Sequence, residues 1–293
     1  MTSLGLFKFW RGVIGAGELI AQDAEIDGVG TVGGGFYAEI TNTGSGTIEI
    51  EYGTTGQSFT VDWGSGTPTG YTAKTPSMTP TGTVIVESGA VCDRFRITGS
   101  TTTVTGVAIT GGDLLQSLHS AFLNMRAMTS FSLDDASNIT TIQTAWQNCF
   151  ALTSFPNISF PEVLNIDGAW GNNIALTSFP AIAFPKATTA EDIFNNCNKM
   201  VSCSPTDFSS VENFINAFRD CDDLESLGNL ETEAGTAFGN MFNGCGSLAT
   251  IGAIDTTGTS GASTGMFTGC SSLTSPDSTE QSDLASASGL DFN

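Results

Sequence analysis

An aromatic residue recurs at a nearly constant interval through the second half of the chain. Self-similarity at a period of roughly 24 residues is typical of repeat proteins, in which each repeat is one small unit stacked on its neighbours. This feature restricts the fold strongly, because every repeat must bury the same positions against the next one. We call these the anchor positions: Phe122, Trp146, Trp170, Phe194, Phe218, Phe242 and Phe267.

Other positions recur with the anchors. In the best-formed repeat, Ile142, Ala145, Trp146 and Cys149 fall at i, i+3, i+4 and i+7, which predicts a short helix with one buried face. Two residues after each anchor the chain carries Asn, Asp or Gly, and Asn and Gly readily adopt the left-handed conformation that closes a helix. We therefore predict helix C-caps at Asn124, Asn148, Asn172, Asn196, Asp220, Gly244 and Gly269.

A strand follows each predicted helix. The segments Leu152–Phe155 and Leu176–Phe179 have the L-x-x-L spacing that begins the strand of a leucine-rich repeat. Phe242–Leu248 and Phe267–Ser275 resemble the "MFxxCxxLTSL" unit of BspA-type leucine-rich repeats. The resemblance implies a mainly β solenoid with short helices, an α/β solenoid of 24-residue repeats, over residues 100–276. Thr101–Ile109 is predicted to be its first unit.

Residues 29–99 follow a period of two. Short strands are predicted at Phe36–Ile40, Thr47–Tyr52, Ser58–Trp63, Thr81–Glu87 and Asp93–Thr98, separated by Gly, Pro, Asn and Ser. Such a series favours a small antiparallel β-sandwich. The segment Phe59–Pro68 resembles the "VDWGDG" hairpin of polycystic-kidney-disease-type (PKD) immunoglobulin-like domains. Ser65 replaces an Asp of that pattern, so a calcium role at the turn is not carried over.

The two ends differ from the rest of the chain. Residues 1–28 combine aromatic and basic side chains, which are common interface anchors, so we predict an anchoring arm that docks on a larger assembly. The alternative is a strand that packs on the next domain. Residues 277–293 break the period, and Leu284, Leu290 and Phe292 are predicted to cap the end of the solenoid. The candidate docking residues are Phe7, Phe9, Trp10 and Arg11.

The formal net charge is −21, with only nine Lys and Arg residues. This balance argues against non-specific binding to nucleic acid and against docking on anionic lipid. The apolar run from Gly12 to Ile20 is broken by glycine and carries Glu18, so a secretory signal is not expected. No stretch approaches the roughly 20 apolar residues of a membrane span, so membrane insertion is not expected either.

No catalytic constellation is evident. Five cysteines share one repeat position, which predicts a buried ladder of small apolar thiols. His119 is the only histidine, and no G-x-S-x-G segment accompanies it, so a surface or capping role is predicted. The densest acidic group lacks the EF-hand spacing and is predicted to form a solvated loop, with binding of a surface Ca²⁺ ion as the alternative. It consists of Asp220, Asp222, Asp223 and Glu225. No cofactor is predicted.

A small sandwich followed by BspA-type repeats is similar to proteins encoded by tailed bacteriophages. The resemblance implies a non-enzymatic virion protein, as a tail fibre, spike or capsid decoration, that adheres to host or environmental glycans or proteins. The implied partners are other virion proteins, bound through the N-terminal arm, and a homo-oligomer is expected. The alternatives are a secreted bacterial or protist adhesin and, third, a glycan depolymerase. The candidate recognition residues are Thr129, Ser130, Thr153, Ser154, Thr177 and Ser178.

Overall fold

The computed structural model describes residues 35–273, apart from positions 55, 100, 205–206, 229, 231, 253 and 255–263. Contacts divide the chain into residues 1–33 and residues 34–293, so all described residues belong to the second unit. This unit is mainly β, with two short 3-10 helices at Thr101–Thr103 and Gly112–Leu114. Its strands are β1 (Phe36–Asn42), β2 (Ile48–Tyr52), β3 (Ser58–Asp62), β4 (Thr69–Lys74), β5 (Val84–Ser88), β6 (Phe95–Gly99), β7 (Val104–Thr110), β8 (Ser130–Leu133), β9 (Ser178–Phe179), β10 (Ser202–Cys203), β11 (Ser226–Leu227) and β12 (Thr250–Ile251).

Strands β1 to β8 form one sheet in the order β6-β2-β4-β3-β5-β1-β7-β8. All pairings among β1 to β7 are antiparallel, and most of these strands alternate buried and less buried residues, as is typical of antiparallel sheets with one face on the core. The sheet curls around its core. Phe36 on β1 packs against Tyr52 on β2, with ring centroids 4.9 Å apart, although three strands separate β1 from β2 in the sheet.

The five strands predicted in this region are present as β1, β2, β3, β5 and β6. The prediction missed β4, whose residues are exposed or half-buried and therefore carry no strong hydrophobic alternation. It pairs with β3 through its first half and with β2 through its second half. The positive φ of Ala73, at 61°, lies in the second half, where β4 pairs with β2.

β7 joins the antiparallel strands to the repeats. It pairs antiparallel with β1 on one side and parallel with β8 on the other, with Val107 opposite Phe131 and Ile109 opposite Leu133. Of the predicted first repeat unit at Thr101–Ile109, the part from Val104 is a strand in register with the next repeat, whereas Thr101–Thr103 form a 3-10 helix. The domain boundary expected between residues 99 and 100 falls between β6 and β7, two strands of the same sheet.

Backbone hydrogen bonds join equivalent positions of successive repeats. One column contains the parallel strands β9 to β12, and hydrogen bonds such as Thr177 N–H to Thr153 O (3.1 Å) extend it towards β8. A second column consists of parallel bridges from Ser117 through Thr141, Asn165, Thr189 and Asn213 to Ala237. We call the units joined in this way, residues 115–273, the repeat stack.

The short helices predicted around the anchors are not formed in the described residues, so this part of the prediction is wrong. Each anchor lies instead in consecutive turns, such as residues 143–148. Backbone N–H groups alternate in their use: Ala145 donates to Ile142 three residues back, whereas Trp146 donates to Ala169 of the next repeat (2.9 Å). An α-helix needs every N–H for its own i−4 carbonyl, so this alternation excludes one.

The anchors form a continuous aromatic core. Trp146 and Trp170 stack with centroids 5.3 Å apart and an interplanar angle of 6°. Phe218 and Phe242 stack at 5.5 Å, and Phe242 and Phe267 at 5.4 Å. The inward face predicted from Ile142, Ala145, Trp146 and Cys149 is fully buried, although turns rather than helices place it there.

Candidate recognition surface

One exposed row of hydroxyl groups follows the parallel strands of the repeat stack. Residues alternate between the two sides of a strand, so burial of Phe131, Phe155 and Phe179 turns the preceding serines towards solvent. Ser178, Ser202, Ser226 and Thr250 are direct register partners on β9 to β12. We define the hydroxyl strip as Ser130, Ser154, Ser178, Ser202, Ser226 and Thr250, all of them exposed.

The structure brings the six predicted recognition residues together but separates them into two kinds. Two of the three threonine hydroxyls are used internally: Thr129 Oγ1 donates to Thr105 O and Thr177 Oγ1 donates to Thr153 O, both at 3.2 Å. No hydroxyl of the hydroxyl strip bonds to another described residue. The serines therefore keep both donor and acceptor capacity for a ligand or water, whereas Thr129 and Thr177 mainly stabilise the stack.

The hydroxyl strip continues further than predicted. Ser202, Ser226 and Thr250 were not proposed, although the recurrence of Ser or Thr eight positions after the anchors Phe194, Phe218 and Phe242 was a usable signal. Around the first three members the exposed flanking residues are Thr129, Thr153 and Thr177, none of which is ionisable, whereas the exposed Glu225 lies beside Val201 and Ser202. On a chain with a formal net charge of −21, the surface around these first three members is a neutral region.

The turns that carry the anchors form a contrasting surface of amide and acidic side chains. Asn148 Nδ2 donates to Asn124 Oδ1 at 2.7 Å, and Asn196 Nδ2 donates to Asn172 Oδ1 at 2.9 Å. Asp167 accepts hydrogen bonds from Thr189 Oγ1 and from the Glu191 backbone N–H. Internal hydrogen bonds thus occupy several of the polar groups of this surface.

The left-handed conformation predicted two residues after each anchor is confirmed at all seven positions, with φ between 55° and 83°, but the helix C-cap role is wrong because turns and not helices precede these residues. A second left-handed position lies four residues earlier in each repeat and was not predicted. The recurrence of small or polar residues that tolerate positive φ was its only signal. This second position is occupied by Ser120, Thr144, Gly168, Asp192, Asn216, Asn240 and Gly265.

The cysteine ladder is confirmed as a buried set of free thiols, with Cys270 at its end only partly buried. Each thiol donates to a backbone carbonyl of the preceding repeat, for example Cys197 Sγ to Trp170 O at 3.2 Å. Burial raises the pKa of Cys197 to about 12 and also raises the pKa of Cys149. A thiol kept protonated in this way is a poor nucleophile and a poor metal ligand.

Asn173 replaces cysteine in the ladder and, unlike the cysteines, makes no side-chain hydrogen bond. It is fully buried, and neither its Oδ1 nor its Nδ2 has a hydrogen-bond partner. The Nε1 atoms of Trp146 and Trp170 are likewise buried without a partner. The repeat anchored by Trp170 and its predecessor therefore contain polar atoms that the other anchors, all phenylalanines, do not have.

The other predicted site residues do not come together. His119 is half-buried in the first turn segment, four repeats away from the acidic loop after Phe218, where Asp222, Asp223 and Glu225 are exposed. Among the described residues, no group of three or more His, Cys, Asp or Glu side chains could hold a metal ion. The candidate docking residues Phe7, Phe9, Trp10 and Arg11, and the predicted cap at 277–293, lie outside the described residues.

Comparisons of the chain with protein families, with curated proteins and with solved structures give no match. In the part of the chain that the structure describes, no helix has the length and apolar character needed to cross a membrane.

Proposed function

We propose that the chain is a non-enzymatic virion structural protein, of the tail-fibre, spike or capsid-decoration type, that adheres to glycans or proteins on a host or environmental surface. In this proposal the repeat stack is a leucine-rich-repeat solenoid of the BspA type, and the preceding strands are a PKD/Ig-like sandwich curled around its own core. The N-terminal arm attaches the protein to the particle, and the stack presents the adhesive surface.

The observation that carries the adhesive role is the hydroxyl strip. Parallel strands place equivalent side chains about 4.8 Å apart, so the strip is a regular row of hydroxyl groups that have no partner among the described residues. Each hydroxyl can donate one hydrogen bond and accept two, which suits the hydroxyl groups of a sugar chain. The flanking residues of its first three members are uncharged, so acidic groups of a ligand meet less repulsion there than on the acidic remainder of the chain.

Rigidity supports the same role. Stacked anchors and inter-repeat backbone hydrogen bonds fix each serine relative to the next, as in the pair Trp146 and Trp170 and the bond from Val201 N–H to Thr177 O (2.9 Å). A surface that is already ordered loses little conformational entropy on binding, which favours weak polar contacts repeated many times. The strip therefore suits a repetitive ligand better than a single compact one.

The adhesive role is tested by replacing one central hydroxyl. Ser154→Lys places a long charged side chain in the strip, and Ser159→Lys is the matched control because Ser159 is exposed in the same repeat outside the strip. On a glycan array and on intact bacterial cells, we expect Ser154→Lys to lose at least about tenfold in binding and Ser159→Lys to bind like the parent. Equal binding by both variants contradicts the proposal for this surface.

The virion assignment needs a separate test. Mass spectrometry of purified phage particles should detect the protein, and deletion of residues 1–28 should prevent its incorporation while the repeat stack stays folded. Its absence from particles, with retained binding to cells, favours the secreted bacterial or protist adhesin, which would use the same strip. Release of reducing ends from a bound polysaccharide by purified protein would instead support the glycan depolymerase.

A further inference from the structure

A small cavity opens where the edge strand β6 meets the first turn segment of the repeat stack. It has a volume of about 170 Å³ and is lined by Arg96, Ile97, Thr98, Gly99, Ser120, Leu123 and Asn124. Its two walls are joined by the hydrogen bond from Ile97 N–H to Ala121 O at 2.9 Å. The cavity is therefore built from two parts of the backbone that are fixed relative to each other.

The charged residues beside the cavity are unusual for this chain. Three of its nine Lys and Arg residues, Lys74, Arg94 and Arg96, lie beside Glu49 and Glu51, and Arg94 also interacts with Asp93. Lys74 Nζ lies 2.5 Å from Glu49, and an Arg94 amino group lies 3.1 Å from Glu51. Lys74 and Arg94 therefore each have a close carboxylate partner.

Arg96 is the least closely paired of these three cations. The distance from its Nη1 to Glu51 is 4.0 Å, which is longer than a hydrogen bond. Its Nε is buried without a partner, and its guanidinium makes no hydrogen bond to the described residues. A guanidinium has five N–H donors in a planar fork, and the paired oxygens of a carboxylate, like those of a phosphate, match that fork.

His119 gives a second sign of the local positive field. It directly precedes Ser120 in the cavity wall. Partial burial and then the charges of Arg96 and Arg94 hold the pKa of His119 below its ordinary value, while a hydrogen bond with Gln143 opposes this shift. The field of the two arginines thus extends across the cavity from β6 to the turn segment.

We propose that this cavity binds the carboxylate of a small hydroxylated ligand, of the uronic acid class, with Arg96 as the carboxylate-binding residue. The Thr98 hydroxyl donates to Glu49 and the Ser120 hydroxyl bonds to Thr144, and both oxygens lie in the wall with remaining acceptor capacity. Leu123 offers an apolar surface to a sugar ring. The cavity, of about 170 Å³, suits a ligand of the size of one monosaccharide unit. The proposal deepens the adhesive part of the proposed function by naming an acidic sugar, and it uses residues distinct from the hydroxyl strip.

The single histidine allows a direct test on the full-length, untagged protein. The imidazole signal of His119 is followed by NMR through a pH titration at constant ionic strength, with sodium glucuronate, glucose or sodium sulfate. A bound carboxylate offsets the field of Arg96, so glucuronate should give a saturable shift with a Kd on the order of 1 mM and should raise the pKa of His119. Glucose and sulfate should do neither.

Two variants separate binding from folding. Arg96→Gln should weaken glucuronate binding at least about tenfold, because it removes charge-assisted hydrogen bonds. Glu51→Gln removes the carboxylate that competes for Arg96, so it should bind glucuronate more tightly than the parent, a gain that misfolding cannot produce. Equal responses to glucuronate and sulfate, binding unchanged in Arg96→Gln, or no saturable shift would each overturn the proposal. None of these outcomes bears on the hydroxyl strip or on particle incorporation.

Discussion

The antiparallel sheet and the repeat stack solve the same packing problem in different ways. In the sheet, core residues meet partners from non-equivalent positions on distant strands, as Phe36 on β1 does with Tyr52 on β2 at 4.9 Å and with Phe95 on β6 at 5.2 Å. In the stack, each residue meets its own counterpart from the adjacent repeat, as Phe194 does with Phe218 at 5.3 Å. A substitution in the stack therefore changes one recurring contact, whereas one in the sheet changes an unrepeated set.

The two regions also treat backbone strain differently. In the sheet region, positive φ occurs at glycines such as Gly64 and Gly99, with Ala73 as the one other residue among those described. In the stack, every repeat uses two left-handed positions, and most are filled by Asn, Asp, Ser or Thr. Stacking evidently holds these conformations, because each left-handed turn is bonded to a similar one above and below.

The largest loss of folding stability should come from a substitution at the centre of the repeat stack. Trp170→Ala removes a buried ring that contacts Phe179 at 4.7 Å and Phe155 at 5.0 Å, so we expect the free energy of unfolding to fall by about 3–5 kcal/mol. Because the stack is held by nearest-neighbour contacts, hydrogen exchange should rise most in the adjoining repeats. Urea denaturation and site-resolved hydrogen exchange provide these measurements.

Two controls sharpen this result. Trp170→Phe restores the residue found at five of the seven anchors and removes a buried N–H without a partner, so it should cost less than Trp170→Ala. Phe95→Ala in the sheet should destabilise the whole described unit more evenly. If Trp170→Ala and Phe95→Ala give the same exchange pattern, the contrast between the two regions is wrong.

The difference between the regions also decides what could be predicted. Residues that recur at a fixed spacing, such as Cys149 and Cys197, were correctly predicted as a buried ladder because the same environment selects them repeatedly. The left-handed positions from Asn124 to Gly269 were predicted for the same reason. The predicted helices were wrong. The i, i+3, i+4 pattern of Ile142, Ala145 and Trp146 shows which side chains point inwards, but it does not show which carbonyl accepts each backbone N–H.

The remaining features depended on contacts that no local pattern records. Strand β4 is stabilised by partners on both sides rather than by its own alternation. The use of Thr129 Oγ1 by a backbone carbonyl separates it from the free hydroxyl of Ser130, although the two are adjacent in sequence. The cavity at Arg96 requires β6 and the first turn segment to meet, which follows only from the curl of the sheet.

The second largest change in the free energy of unfolding is expected at Asn173, which interrupts the cysteine ladder. Asn173→Cys replaces a buried side chain whose polar atoms have no partners by a thiol that can donate to a carbonyl of the preceding repeat, as Cys149 donates to Phe122 O at 3.3 Å. We expect the free energy of unfolding to rise by about 1–3 kcal/mol in urea denaturation under reducing conditions. The reverse change, Cys197→Asn, should lower it. A loss of stability in Asn173→Cys would show that Asn173 is satisfied in solution.

A smaller gain is expected at a strained turn. Thr144 is β-branched and has φ of 52°, a conformation that is costly for such a residue. Asn216 and Asn240 occupy the same position in later repeats, so Thr144→Asn should raise the free energy of unfolding by about 0.5–1 kcal/mol. Thr144→Val keeps the branching and removes the hydroxyl that bonds Ser120 at 2.8 Å, so this control should be less stable than the parent. A gain in both variants would contradict the explanation by strain.

The smallest effects should come from exposed ion pairs, where the two regions should behave alike. Lys74 pairs with Glu49 in the sheet and Lys186 with Glu162 in the stack, and Lys74→Met and Lys186→Met should each cost under about 1 kcal/mol because solvent screens both pairs. The hydrogen bond from Lys74, and then that from Ser77, lowers the pKa of Glu49. The ionised Glu49 therefore stabilises the fold above the unfolded pKa, and this stabilisation is lost as the pH falls through the lowered folded pKa. The cost of Lys74→Met should therefore shrink from pH 7 to pH 3, and should also shrink in high salt. If the cost is well above the range of an exposed pair, or does not change with pH, the Lys74 pair is coupled to the rest of the Glu51 cluster rather than acting as a surface contact.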